Sequence, residues 1–492
     1  MLQRLQTLFA IPKGHPQGGL VAILALLFVI CVSYSIYDNL LWLAFAPIGL
    51  LVLWVTLADF RRIYFLMMAS IATSTEIALP GGFGTDLPSE PLMWVLTAGA
   101  VVWFLQNWRS VDGRFFRHPV SMALHLHLAW MLLAAINSQD FVVSLKFILA
   151  KGWYVIVFYY LAGHIFQQLS DFKKLVWWFF VPLFFAVAIV VARHAAIGFS
   201  FEDVEYVMGP FFRNHVMYAC SLAITIPFFW YATYWYRRGS LPWLFLAGGI
   251  GLFLVAINFA YTRAAYVALV AAIGIYWSVR LRFFKAALIA FALVLAGFIA
   301  FVRSSDNWLL FAPDYERTIT HKRFENLLVA TTRLEDISTM ERVYRWVAAS
   351  YMVRERPLIG HGPGTFYFYY KNYTVSSFKT YVSDNPERSG IHNYYLMTLV
   401  EQGFPGLIFF LIFLLTVLLR GARIWHQLTD GAQRRMHTAA FLCFALINLL
   451  MLMNDFVETD KIGSFFFISA AIIVNMDLMQ WNNKRDSKSG SN

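Results

Sequence analysis

The chain has 492 residues, of which 59% are hydrophobic and only 14% are charged, and its mean hydropathy is +0.59. Soluble domains carry about 25% charged residues, so this composition excludes an ordinary soluble protein and predicts a polytopic membrane protein. The net charge of +11 does not indicate nucleic-acid binding, because the basic residues are scattered over many short loops between apolar runs.

Apolar runs of about 20 residues, the length that crosses ~30 Å of hydrocarbon, recur along most of the chain. We predict an all-α fold of about 12–14 transmembrane helices with one large, partly helical loop. The predicted spans are residues 18–36, 40–58, 60–79, 91–107, 118–136, 146–166, 173–196, 213–236, 242–258, 264–280, 283–302, 392–419, 436–454 and 461–479. The predicted parts are an N-terminal helix bundle (1–302), a loop domain (303–391), C-terminal helices (392–479) and a disordered tail (480–492).

Basic and acidic residues alternate between successive loops. Arginines such as Arg61, Arg237 and Arg420 occupy one set of loops, whereas acids such as Asp86 and Asp455 occupy the other. Basic residues favour the cytoplasmic side, so this pattern predicts cytoplasmic N- and C-termini. It places the loop 303–391 on the outer side of the membrane.

The long outer loop contains a segment with apolar positions at helical spacing, residues 339–354, which predicts an amphipathic helix on the membrane or on the bundle. The residues expected to share its apolar face are Val343, Trp346, Val347, Ser350 and Tyr351. A turn-rich connector and an aromatic stretch, 366–373, follow. Long structured loops of this kind are typical of functional lids or docking surfaces.

Three arginines on the predicted outer side depart from the charge alternation: Arg213, Arg263 and Arg342. A charge near the apolar layer is expensive, so it is usually paired or functional. Arginine matches phosphate oxygens with two parallel hydrogen bonds and stays charged at any working pH, so the three predict a phosphate-bearing ligand. Arg213 and Arg263 could equally extend to the interface without binding anything.

His392 stands where the outer loop meets the next apolar helix. An imidazole in an accessible position could accept the proton of a hydroxyl nucleophile. A lone histidine is nevertheless more often structural than catalytic, and His361 and His215 compete for the same role.

Several of these motifs together resemble the O-antigen ligase and O-antigen polymerase superfamily of bacterial membranes. They are Arg342-x3-Trp346, the segment 356–366, His392-Asn393-x-Tyr395-Leu396-x4-Glu401-x-Gly403-x2-Gly406, Thr262-Arg263-Ala264-Ala265 and Arg213-Asn214-His215. The resemblance in motifs covers residues 210–410, and the first 200 residues agree only in hydropathy. His361 departs from the family pattern, which indicates a variable turn position and not the base.

The resemblance implies a C-type, inverting, metal-independent glycosyltransferase without cofactors. Such an enzyme moves a glycan from undecaprenyl pyrophosphate to an acceptor hydroxyl at the periplasmic face of the bacterial inner membrane. Arg213, Arg263 and Arg342 would neutralise the charge on the leaving group. His392 would take the acceptor proton or orient the hydroxyl. His215 and Asn393 are expected to contact the substrate. Glu401, half a helical turn away from His392, is expected to serve packing at the Gly403–Gly406 break.

The acceptor distinguishes the members of this superfamily. A ligase uses lipid A-core in lipopolysaccharide assembly, a polymerase of O-antigen or exopolysaccharide uses another lipid-linked glycan, and a third branch uses protein hydroxyls. We place the ligase slightly ahead. A transporter or flippase of lipid-linked glycans is the alternative from another class, but transporters hold functional charges near the bilayer midplane at interrupted helices, whereas these candidates cluster at the outer edge.

Overall fold

The computed structural model describes residues 46–79, 83–109, 112–304, 337–376 and 389–489, with a few isolated positions beside these ranges. The structure is 78% helical, and the strands of the described residues form one two-stranded hairpin. Eight described helices are long and apolar enough to cross a membrane. The prediction of an all-α, multi-pass membrane protein is therefore confirmed.

The long helices coincide with the predicted spans from residue 40 onward. The eight candidate spans are Pro119–Ile136, Phe141–Ile165, Leu169–Ala196, His215–Trp235, Leu241–Phe259, Phe284–Val302, Tyr394–Trp425 and Asp460–Gln480. Further helices at predicted spans are Ala46–Ile71, Ser89–Asn107, Arg263–Arg280 and Gly431–Leu450. The first predicted span, 18–36, lies almost entirely outside the described residues, so the total of 12–14 stays a prediction.

The helix Ala46–Ile71 contains the boundary between the second and third predicted spans. Asp59 interrupts it with a non-helical backbone, φ −156° and ψ 83°. The Asp59 carboxylate accepts hydrogen bonds from the Arg61 N–H (3.2 Å) and the Arg62 Nε–H (2.9 Å). Local bonds of this kind offer the backbone an alternative to helix and so favour a break.

The third predicted span, 60–79, extends too far. Its helix ends at Ile71, where the hydroxyls of Thr73 and Ser74 donate to the carbonyls of Ser70 (3.3 Å) and Ile71 (3.0 Å). Thr75–Leu79 then pairs antiparallel with Phe83–Leu87, a unit called the hairpin below. Hydropathy alone does not distinguish a short apolar strand from the last turns of a helix.

The helix that begins at Asp460 is the centre of the bundle, since 83% of its most apolar window is buried. Its Asn475 Nδ2 donates to the carbonyl oxygens of Gly163 (2.8 Å) and Phe166 (2.9 Å), where the helix Phe141–Ile165 ends. Such bonds matter because lipid offers no partner to a free carbonyl. The helix continues to Ser489, into the predicted disordered tail, because polar residues can extend a helix that is already nucleated.

The predicted helix of the long loop is present as Ile337–Glu355, called the long-loop helix below. Of the residues predicted to share its apolar face, Val343 and Trp346 pack against the core, whereas Ser350 and Tyr351 are exposed. The buried residues are Met340, Glu341, Tyr344, Arg345, Ala348, Ala349 and Met352. The prediction counted large apolar side chains, whereas the real face combines small alanines with a buried Glu341–Arg345 ion pair at 3.7 Å. The loop residues 305–336 lie outside the described residues.

Residues 357–366, called the glycine turn below, pack against a break in the helix Tyr394–Trp425. The Gly362 N–H donates to the Glu401 carbonyl (2.9 Å), and the Phe404 N–H donates to the Pro357 carbonyl (2.8 Å). The Glu401 carboxylate accepts from the N–H groups of Gly364 (2.8 Å) and Phe366 (3.1 Å). The expectation that Glu401 serves packing here is confirmed.

Gly403→Ala should destabilise the fold by about 1–3 kcal/mol, because its φ of +70° and ψ of −176° belong to a region that essentially only glycine adopts. An added Cβ would also clash with the Leu358 carbonyl. Thermal unfolding of purified protein in detergent measures the loss. Gly251→Ala is the matched control, because open space surrounds that helical position. Equal melting temperatures for Gly403→Ala and wild type would contradict the assignment.

Candidate functional site

His392 is held in an uncommon backbone conformation. Its φ of +57° is left-handed, which costs a residue with a side chain about 1–2 kcal/mol. Its N–H donates to Asp455 Oδ2 at 2.9 Å. The next residue, Asn393, caps the helix Tyr394–Trp425, since its side chain accepts from the Leu396 N–H at 2.9 Å. The His392 backbone is thus fixed between a helix start and a carboxylate, and Asn393 has a structural role as a cap.

The long-loop helix holds the residues before His392. Arg345 Nη1 donates to Ser389 Oγ (2.9 Å) and to the Gly390 carbonyl (2.7 Å). Trp346 Nε1 donates to the Ile391 carbonyl at 3.1 Å. Two neighbouring side chains therefore hold three consecutive residues in place.

The electrostatic surroundings keep the His392 imidazole neutral. Burial lowers its pKa to about 3, and the positive charges of Arg345 and Arg342 lower it further in the same direction. A neutral imidazole keeps one ring nitrogen as an acceptor, so His392 can receive a hydrogen bond or a proton from a hydroxyl. The structure thus brings together two predicted site residues, His392 and Arg342, and adds Arg345.

Asp455 belongs to residues 454–460, called the acidic loop below. Burial raises the pKa of Asp455 to about 6, and its hydrogen bond to the His392 backbone opposes this rise. Its Oδ1 is buried and accepts no hydrogen bond from the part of the chain that the structure describes. Sequence reasoning used Asp455 only as a topology marker, because no local pattern links it to a histidine 63 residues earlier.

A buried lysine anchors the acidic loop to the bundle. Lys151 Nζ lies 2.6 Å from Glu458 Oε1 and 3.2 Å from Tyr394 Oη. Tyr394 Oη donates to the same Glu458 oxygen at 2.7 Å. Sequence analysis missed Lys151, although a lysine inside an apolar span is a signal of a paired or functional charge.

Arg213 lies on the wall of a cavity of about 580 Å³, called the hairpin cavity below. The cavity lies between the hairpin, residues 209–213 and residues 458–461. Arg213 Nε is 3.6 Å from Glu76 Oε2 of the hairpin, and the arginine side chain is half exposed. The acidic loop therefore links two parts of the site, because Asp455 holds His392 while Glu458 borders the cavity that contains Arg213.

Arg263 is the first residue of the helix Arg263–Arg280, and it lies next to the Arg213 motif in the fold. The Thr262 hydroxyl donates to the His215 carbonyl at 3.3 Å, so two helix starts meet there. A cation at a helix N-terminus opposes the helix dipole, so helix stability does not explain this arginine. His215 Nδ1 lies 3.3 Å from Glu205 Oε1, a carboxylate that pairs with this histidine when the ring is protonated.

His361 is expected to be a variable turn position, but the structure gives it specific buried contacts. The residue is fully buried, with ring nitrogens 2.9 Å from Gln139 Oε1 and 3.0 Å from the Met352 carbonyl oxygen. It joins the glycine turn to the long-loop helix and to the start of a bundle helix.

One family model matches part of the chain: residues 248–411 match the family described as O-antigen ligase. This match supports the resemblance to the O-antigen ligase and polymerase superfamily. The matched segment contains Arg263, the long-loop helix, the glycine turn and His392, whereas Arg213 and Asp455 lie outside it. The family implies an enzyme that transfers glycans. A comparison with curated proteins finds no match.

Arg345→Met should remove most glycan transfer and lower thermal stability. Removing one partner of a buried ion pair typically costs about 3–5 kcal/mol, and here it also releases the residues before His392. Arg354→Met, on the exposed side of the same helix, is the matched control and should keep both activity and stability. Transfer assays and thermal unfolding on both variants measure this. Wild-type transfer by Arg345→Met would show that the site does not need this contact.

The pH dependence of transfer should follow Asp455 and not His392. The pKa of Asp455 is raised to about 6, so its charge, and with it the bond that holds His392, weakens as the pH falls through that value. Asp455→Asn should lower the transfer rate by up to about a hundredfold, the effect of displacing a reacting group by ~1 Å. The remaining transfer rate should not change with pH between about 5 and 8. An inflection near pH 6.5 that persists in Asp455→Asn would mean that His392 itself titrates there.

Proposed function

We propose that this protein moves a glycan from undecaprenyl pyrophosphate to an acceptor hydroxyl at the periplasmic face of the bacterial inner membrane. Its acceptor is lipid A-core, so it acts as an O-antigen ligase in lipopolysaccharide assembly. The observation that carries the proposal is the family match, because the matched segment supplies both Arg263 at a helix start and His392 beside Arg342.

The part of the site that contains Arg213 and Arg263 suits a pyrophosphate leaving group. Two helix N-termini meet at Thr262 and His215, and backbone N–H groups at such ends favour anions. Arg213 and Arg263 stand at these two starts and add fixed positive charge. As the bond between the sugar and the pyrophosphate breaks, negative charge grows on the phosphate oxygens, and preorganised cations stabilise that charge.

The part of the site around His392 suits the acceptor hydroxyl. His392 would accept the hydrogen of the acceptor hydroxyl while the hydroxyl oxygen attacks the anomeric carbon. Its low pKa makes it a weak base in the free enzyme. The attacking oxygen becomes strongly acidic as the new bond forms, so even a weak base can then take its proton. One displacement of this kind inverts the configuration at the anomeric carbon.

Arg213→Ala, Arg263→Ala and His392→Ala should each reduce transfer by about a hundredfold or more, the usual loss when a group that stabilises transition-state charge is removed. Arg280→Ala, at the opposite end of the same helix as Arg263, is the control and should transfer normally. The assay uses reconstituted membranes with undecaprenyl pyrophosphate-linked glycan, and insertion is checked by protein recovery. Normal transfer by both Arg213→Ala and Arg263→Ala would remove the pyrophosphate assignment.

The same assay with and without lipid A-core separates the acceptors. Product that forms only with lipid A-core supports the ligase. Longer lipid-linked chains without it would identify a polymerase of the same superfamily. Wild-type protein that transfers nothing under either condition, yet moves the lipid-linked glycan across the membrane, would replace the enzyme with a transporter.

A further inference from the structure

The hairpin cavity has a charge pattern that a phosphate site alone does not explain. Five carboxylates line it, against two cations, Arg213 and Lys461. Its volume of about 580 Å³ lies within the ~300–1,000 Å³ typical of small-molecule sites. A cavity built only for pyrophosphate would not surround its arginine with acids, since like charges repel the ligand.

Most of these carboxylates already have protein partners. Asp460 Oδ2 accepts hydrogen bonds from Ser74 Oγ (2.5 Å) and Ser89 Oγ (2.8 Å). Glu90 accepts from the Thr85 hydroxyl at 2.7 Å. Two further acids form ion pairs: Glu76 with Arg213, and Glu458 with Lys151.

Asp86, at the base of the hairpin, differs from the others. Its carboxylate forms no hydrogen bond or ion pair with the part of the chain that the structure describes, yet it lines the cavity. Burial and the nearby Asp460 raise its pKa to about 7, Lys461 opposes this rise, and Glu90 and Glu76 add to it. Near neutral pH this carboxyl group can therefore accept and, when protonated, donate hydrogen bonds.

The ligand class follows from these neighbours. A group with many hydroxyls pairs well with a carboxyl that accepts no hydrogen bond from the described residues, and the apolar wall at Phe211 and Phe212 suits the carbon face of a sugar ring. In a pyrophosphate-linked glycan the first sugar is bonded directly to a phosphate. A cavity that carries a phosphate-binding arginine on its wall is therefore placed to enclose that sugar.

We propose that the hairpin cavity binds the first sugar of the donor glycan, with Asp86 bonded to its hydroxyls, and that the cavity selects neutral sugars over uronic acids. This inference rests on the proposed function and assigns the donor subsite within it. A uronic acid would bring a second carboxylate next to Asp86 and into a cavity with excess negative charge, and such like-charge contacts cost binding energy.

The test compares two donors that differ only in the first sugar, an N-acetylhexosamine or a hexuronic acid on the same undecaprenyl pyrophosphate. Wild type should show a KM for the uronic acid donor that is at least about tenfold higher, the effect of one like-charge contact. Asp86→Asn should bring the two values within about threefold, whereas Asp86→Glu should keep the preference. Asp112→Asn, an exposed acid paired with Arg114 outside this cavity, is the control.

The pH dependence of the donor preference provides a second measurement. In wild type the preference should weaken as the pH falls from 8 to 6, because Asp86 loses its charge while a uronic acid keeps its own. Asp86→Asn should show no such change.

The outcomes are distinguishable. A wild type that transfers neither donor would remove the proposed function and this inference with it. Active wild type with the same donor preference in Asp86→Asn would overturn the inference alone. If Asp86→Asn raised the KM for the acceptor and left the KM for the donor unchanged, the cavity would hold the acceptor sugar. That result would overturn the inference as well.

Discussion

The hydrogen bond between the His392 N–H and Asp455 connects the two halves of the candidate site. His392 follows the long loop, whereas Asp455 lies between the last two long helices of the described chain. The bond holds a residue with a strained, left-handed backbone in place. The contacts around His392 offset the free-energy cost of this conformation. Arg345 and Trp346 fix one side of His392, and the acidic loop fixes the other. The backbone position of His392 is therefore set by the long-loop helix and the acidic loop, which are distant from each other in sequence.

The membrane makes this arrangement more demanding. A charged group in or near hydrocarbon needs a partner, and the acidic loop obtains one from Lys151 inside the helix Phe141–Ile165. Asp460 and Lys461 begin the most buried helix and bond to Ser74 and Ser89 beside the hairpin. These polar contacts join four helices at one end of the bundle. The same end carries the arginine motifs, so the scaffold and the site share their anchoring residues.

Hydropathy predicted the helices from Pro119 to Val302 because long apolar runs separated by charged turns have a strong signal. It failed at the hairpin, where Thr75–Leu79 is apolar enough to resemble a helix end. The helical spacing of apolar residues did not reveal the buried Glu341–Arg345 pair of the long-loop helix, because an ion pair looks like a surface feature in a sequence. The roles of Arg213, Arg263 and His392 were suggested by residue chemistry and by resemblance. Asp455, Lys151 and Arg345 act through contacts between distant segments, and no local pattern records those.

The family match and the candidate site do not have the same boundaries. Residues 248–411 contain His392 and Arg263, but the carboxylate that fixes His392 and the cavity wall that carries Arg213 are supplied from outside this range. Moving the matched segment into another protein with the same family match would therefore carry over Arg263 and His392 without the residues that hold them. A chimera of that kind would need compatible flanking helices on both sides before its histidine could adopt the geometry seen here.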